Sequence, residues 1–189
     1  MLSGFWDLGY EVIHDLIDAR ALAFARAAME FHCNHGRMGP NTGAATGPGL
    51  QEYGAVASEA LLRNCQAKIE AVVAQPLIPA YSFWRIYEAG AALARHSDRK
   101  SCEISASLMI HAEPAGAEWP IWVEDLAGTK TAVPLRMGSA IIYQGHRVPH
   151  WREPFSGEKQ FQVFLHYVRR DGEFADHAFD KRTALNLHT

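Results

Sequence analysis

The stretch Gly138-Ser-Ala-Ile-Ile-Tyr143-Gln-Gly-His146-Arg-Val-Pro149-His150-Trp-Arg152-Glu-Pro154-Phe-Ser-Gly157-Glu-Lys159-Gln-Phe-Gln-Val-Phe-Leu-His166-Tyr-Val168 decides how this chain folds. A β-branched run, a turn rich in Gly and Pro, and a second run from Gln160 to Val168 follow one another. In that second run, successive side chains point to opposite faces: Lys159, Phe161, Val163, Leu165 and Tyr167 share one, and Gln160, Gln162 and His166 the other. The apolar row is expected to point inward, with Lys159 at its head. A buried, unpaired ammonium is costly, so a lysine there calls for an anion.

Upstream, as far as Pro79, the same texture continues. Short alternating runs are punctuated by Gly90, Gly116, Gly128, Gly138 and Gly145, a spacing that suits a closed or sandwiched antiparallel sheet rather than βαβ units. Before Pro76 the period changes to that of helices. Residues 10–17 read as a short strand; Asp18 then caps a helix ending near His32, with Leu22, Ala25, Met29 and Phe24, Ala28, Phe31 at helical spacing. Ser58 is expected to cap a second helix bearing Leu61, Leu62, Cys65, Ile69, Val72 and Val73 on one stripe. Between them, residues 33–54 are rich in Gly, Asn, Thr and Pro and too long for an ordinary connection, which suggests a functional lid or a mobile loop, a place to look for substrate contacts.

Composition narrows the partners. With 189 residues and 48% hydrophobic content, one domain can bury about two-thirds of its unfolded surface. The expected organisation is a single domain: helical support and Gly-rich loop over 1–76, a β core over 77–170 and a polar surface tail over 171–189. A formal charge of -3 gives no sustained basic face, so neither nucleic acid nor an anionic membrane is an expected partner. Cys33, Cys65 and Cys102 form neither an even set nor a CxxC pair, which argues for reduced thiols. There is no basic n-region before a cleavage site and no long uncharged run, so a cytoplasmic protein is expected.

The chemistry lies in Leu93-Ala-Arg-His96-Ser-Asp98. A histidine and an aspartate two apart on an extended strand point to the same face, and one further imidazole completes a facial triad with open cis positions for iron(II). A lone HxD arises by chance in many proteins; the Pro-His block downstream gives this one its weight. His146 competes with His150 for the third position, and the flanking Pro149 and Pro154 favour His150.

Taken together, Tyr87, His96, Asp98, Pro149, His150, Pro154 and Lys159 resemble the motif of the 2-oxoglutarate and iron(II)-dependent oxygenases, closest to the prolyl-hydroxylase-like branch. The likeness covers Leu77 to Val168. It implies a mainly β (α+β) double-stranded β-helix, or jelly roll, with N-terminal helices packed on one sheet. It also implies His96, Asp98 and His150 on Fe(II), with Lys159 on the distal carboxylate of 2-oxoglutarate and Tyr87 hydrogen-bonding it. Where many relatives carry a tyrosine after HxD, this chain reads Cys102-Glu-Ile-Ser-Ala-Ser-Leu-Met-Ile110, so Ser107 or Ser105 is expected to take that role. Arg152, Arg99 and Glu103 are candidate substrate contacts, although Arg152 could equally pair with a carboxylate at the rim. Trp119 and Trp122 fit the core as well as the pocket, and the remaining histidines read as surface or packing residues.

The function implied is a dioxygenase that uses O2 and 2-oxoglutarate to hydroxylate a small-molecule or amino-acid-type substrate, releasing succinate and CO2. Two other readings stand beside it: a prolyl-type protein or peptide hydroxylase, and a non-catalytic, cupin-like metal-binding protein.

Overall fold

The computed structural model describes residues 4–41 and 47–185. Eleven strands and three α-helices follow in the order α1 (Phe5–Leu8), β1 (Tyr10–Ile13), α2 (Ala19–Asn34), β2 (Gly39–Pro40), β3 (Gly49–Tyr53), α3 (Val56–Val73), β4 (Leu77–Glu88), β5 (Leu93–His96), β6 (Ile104–Glu113), β7 (Ile121–Glu124), β8 (Lys130–Val133), β9 (Ala140–Tyr143), β10 (His150–Arg152) and β11 (Lys159–Arg169). They form a seven-stranded sheet in the order β1-β9-β6-β11-β4-β3-β2 and a four-stranded sheet in the order β5-β10-β7-β8. Among the described residues every pairing is antiparallel, as expected of a jelly roll. Among the described residues, no helix is long and apolar enough to cross a membrane.

The main core lies between the large sheet and the helices. Ile104, Ala106, Leu108 and Ile110 of β6 and Val163, Leu165 and Tyr167 of β11 pack there with Leu62, Cys65 and Ile69 of α3 and Met29 of α2. This corrects the direction expected for β11. Its apolar row points away from the pocket because the helix layer supplies the dry surface that such a row needs, while Gln162 and His166 turn toward the other side. Lys159 goes with the apolar row: it is exposed and borders a separate cavity of about 160 Å³ beside Glu30, Glu88 and Glu113.

Asp18 caps α2 as expected, its carboxylate accepting from the Ala21 N–H at 2.8 Å. Ser58 does not cap α3, which begins at Val56; its hydroxyl donates to the Ala55 carbonyl at 2.9 Å and meets Ser82 Oγ at 2.7 Å. On α2 only Ala25 and Met29 are fully buried, and Phe24 and Phe31 are each 62% exposed. The N-terminal third also supplies strands: β1 closes one edge of the large sheet, and β2 and β3, from within the Gly-rich segment, close the other. The centre of that segment, residues 42–46, lies outside the described residues.

The C-terminal segment is more than a surface tail. Asp180 accepts both guanidinium nitrogens of Arg99, at 2.8 and 2.9 Å, and the Tyr53 hydroxyl at 2.7 Å. Arg182, 9% exposed, pairs with the buried Glu59 of α3 at 2.7 Å.

Candidate metal centre and its pocket

His96 ends β5 and His150 begins β10, and these strands pair so that the two residues are direct partners. Asp98 follows β5, held by its backbone N–H, which donates to the Gly145 carbonyl at 2.8 Å. Each imidazole places Nδ1 by the carbonyl two residues before it: Ala94 at 2.8 Å for His96 and Val148 at 3.0 Å for His150. With Nδ1–H donating there, either ring in its neutral form would offer its Nε2 lone pair to a metal. Those Nε2 atoms lie 3.4 Å (His96) and 3.7 Å (His150) from Asp98 Oδ1. The three donors all fall within 4.8 Å of one another, and the other carboxylate oxygen, Asp98 Oδ2, is buried without a hydrogen bond. Two neutral nitrogens and an underused carboxylate in this arrangement fit a divalent cation such as Fe(II).

Without a metal, Asp98 and His150 already favour their ligating forms, while His96 shares its proton with Asp98. Burial opposes ionisation of Asp98, but the hydrogen bond from His96 and the nearby His150 and His166 hold its carboxyl below the usual range. Burial pushes His150 down, so its lone pair is available at neutral pH; the hydrogen bond to Asp98 raises His96. A second donor group, Asp98, Cys102 and His166, shares the aspartate. There His166 Nδ1 already meets Ser105 Oγ at 2.9 Å, its ring stacks on Tyr81, and the Tyr81 hydroxyl lies 3.1 Å from Cys102 Sγ.

The triad opens onto a cavity of about 290 Å³ between the sheets, whose lining includes Tyr87, Arg85, Arg152, Tyr143, Ile121 and Leu93. Tyr81, Phe83, Phe164 and His166 make an aromatic wall. Arg152, two residues beyond His150 on β10, is 3% exposed. Its guanidinium lies 4.6 Å over the Trp119 ring and donates to the Trp119 carbonyl. Burial pushes its pKa down to about 10, so it stays cationic at neutral pH, and among the described residues no carboxylate pairs with it.

The sequence-derived site therefore divides. His96, Asp98, His150, Tyr87 and Arg152 converge on one pocket. Lys159 does not, for the reason given above. Ser107 is buried but turned to Gln162, whose amide donates to it at 2.8 Å. Arg99 is taken by Asp180, and Glu103 is bound twice by Arg169, through its backbone N–H and its guanidinium, at 2.7 Å each, so neither faces the pocket. His146 packs on Phe174 outside the donor group. Arg85 and His166 were missed; His166 shares the Gln160 and Gln162 face, a signal that the sequence does carry.

No protein-family model matches the sequence, and no curated protein does. Solved structures do match. A Pseudomonas putida prolyl-4-hydroxylase aligns over 88% of this chain and 96% of its own, with TM-score 0.69 and 15% identity. The chain shares its fold with 2-oxoglutarate-dependent, non-haem enzymes. The epimerase SnoN from nogalamycin biosynthesis, solved with Fe3+, alpha ketoglutarate and nogalamycin RO, covers 87% of this chain and 80% of its own at TM-score 0.72 and 15% identity. HygX from Streptomyces hygroscopicus, solved with nickel, 2-oxoglutarate and hygromycin B, covers 88% of this chain and 85% of its own at TM-score 0.68 and 12% identity.

Proposed function

We propose that this protein is a cytoplasmic, 2-oxoglutarate-dependent Fe(II) dioxygenase that oxidises, by default hydroxylates, a small-molecule or amino-acid-type substrate, with release of succinate and CO2. One observation carries the reading: a His/Asp/His donor set and a buried arginine without an acid partner share one pocket. A metal chelator with a second, free carboxylate satisfies both.

His96, Asp98 and His150 would hold the metal, their Nδ1 contacts to backbone carbonyls fixing the rings. Fe(II) and 2-oxoglutarate together would supply the activation of O2 that couples oxidative decarboxylation to oxidation of a C–H bond. Arg152, rather than Lys159, would pair with the distal carboxylate, and Tyr87 beside it would donate a hydrogen bond. The aromatic wall gives the reacting centre an apolar flank. The three free thiols agree with a reducing compartment.

Purified protein given Fe(II) and 2-oxoglutarate without oxygen is expected to develop a weak visible charge-transfer band that Asp98→Ala abolishes. In air, a library of small molecules, amino acids and peptides is then screened by succinate release. Absence of the band in the wild-type protein favours the non-catalytic metal-binding reading.

A further inference from the structure

A second cation faces the pocket with no task in the chemistry above. Along β4, Tyr81, Phe83, Arg85 and Tyr87 alternate with residues that pack on the helices, so Arg85 projects into the cavity. Its guanidinium lies 5.0 Å from the Phe83 ring centroid, 5.4 Å from that of Tyr87 and 6.0 Å from that of Phe164. Nη2 donates to Gln51 Oε1 at 3.0 Å and Nη1 to the Tyr87 hydroxyl at 3.4 Å, while Nε is buried without a partner. Among the described residues no carboxylate pairs with it, so ring faces and neutral oxygens are all that compensate its charge.

Two arginines thus enter one small cavity from opposite sheets, Arg85 from the large sheet and Arg152 from the small one. A diacid that chelates the metal through one end has a single free carboxylate. It neutralises one arginine and leaves the other.

We infer that Arg85 binds a carboxylate of the primary substrate, a small organic acid whose apolar or aromatic body lies against Phe83 and Phe164; the inference rests on the oxygenase reading. A planar guanidinium meets a carboxylate through paired hydrogen bonds, and aromatic faces on either side keep water from competing. Arg152 serves the cosubstrate because it is the more deeply buried and shares a strand with His150.

The test uses protein loaded with redox-inert Mn(II) and 2-oxoglutarate, titrated calorimetrically with two matched pairs, phenylacetate against phenylacetamide and hexanoate against hexanamide. In the wild type, at least one acid is expected to bind about tenfold or more tighter than its amide, the range for losing a charge-assisted contact. Arg85→Gln should erase that preference while leaving 2-oxoglutarate affinity within about twofold, which also reports an intact pocket; Arg85→Lys should restore part of it. Equal binding of acids and amides by the wild type overturns the inference, as does a loss of 2-oxoglutarate affinity in Arg85→Gln. If Mn(II)-loaded wild type fails to bind 2-oxoglutarate at all, the oxygenase reading falls. A preference for acids that survives in that sample and that Arg85→Gln erases would still uphold Arg85 as a carboxylate site.

Discussion

His96 and His150 are direct partners across the β5–β10 ladder, with ring centroids 4.4 Å apart. The third donor, Asp98, is tied to the turn before β10 through the Gly145 carbonyl. Metal binding is therefore coupled to one strand pairing, since a slip of one residue in β10 would turn His150 to the opposite face.

Gly145 enforces that geometry. A Cβ there would lie 2.5 Å from the Cys102 carbonyl oxygen, 2.7 Å from Asp98 Oδ2 and 2.7 Å from Ser105 Oγ. Gly145→Ala is expected to displace the aspartate and lower Fe(II) affinity by about tenfold or more. Stability should fall by about 1–3 kcal/mol. Metal titration beside chemical denaturation measures both; unchanged metal affinity would show that Asp98 adjusts freely.

Arg152 and Lys159 make opposite predictions. Arg152→Met keeps a long side chain but removes the buried charge, and should weaken 2-oxoglutarate binding by about tenfold or more. Lys159→Ala touches an exposed residue on the far face and should leave that affinity alone, with stability within about 0.5 kcal/mol. Titrating both metal-loaded variants with 2-oxoglutarate decides between them. The reverse result would reinstate Lys159 as the anchor.

In the metal-free protein, His166 sets a pH dependence. Burial lowers its pKa from the ordinary 6.5 to about 4, so as pH falls below about 6.5 the unfolded chain takes up the proton first. Stability should therefore decline between about pH 6.5 and pH 4, by at most about 3.5 kcal/mol at roughly 1.4 kcal/mol per unit. His150 is lowered and acts in the same direction. His96 is raised, so its contribution is complete below the unfolded pKa and fades as pH rises through its folded value. Tm should drop from neutral to mildly acidic pH, and His166→Gln should flatten that slope. A Tm that rises on acidification contradicts the assignment.

The C-terminal segment should prove structural. Arg182→Ala would leave Glu59, 1% exposed, as a buried carboxylate that has lost this ion pair. A loss of about 3–5 kcal/mol is expected in denaturant titration. A change below about 0.5 kcal/mol would return residues 171–185 to the status of a surface tail.

Local chemistry was legible in the chain itself. The Gly-punctuated alternation announced antiparallel strands, the Asp18 cap and the apolar stripes announced two helices, and His96, Asp98 and His150 stood out by residue type and frame. Alternation along β11 likewise separated an apolar from a polar row, because side-chain period is a property of the strand alone. Which row meets the pocket is not such a property. It depends on what the rest of the chain lays against each face, and here α2 and α3 claim the apolar row, carrying Lys159 away and leaving Phe164 and His166 toward the pocket. The same dependence on distant partners hid Arg85, whose significance lies in lacking an acid beside it, and committed Arg99 and Glu103 to ion pairs with Asp180 and Arg169. Sequence fixes what each side chain can do; only packing in three dimensions determines which of them meet, because burial and charge compensation are settled between segments far apart in the chain.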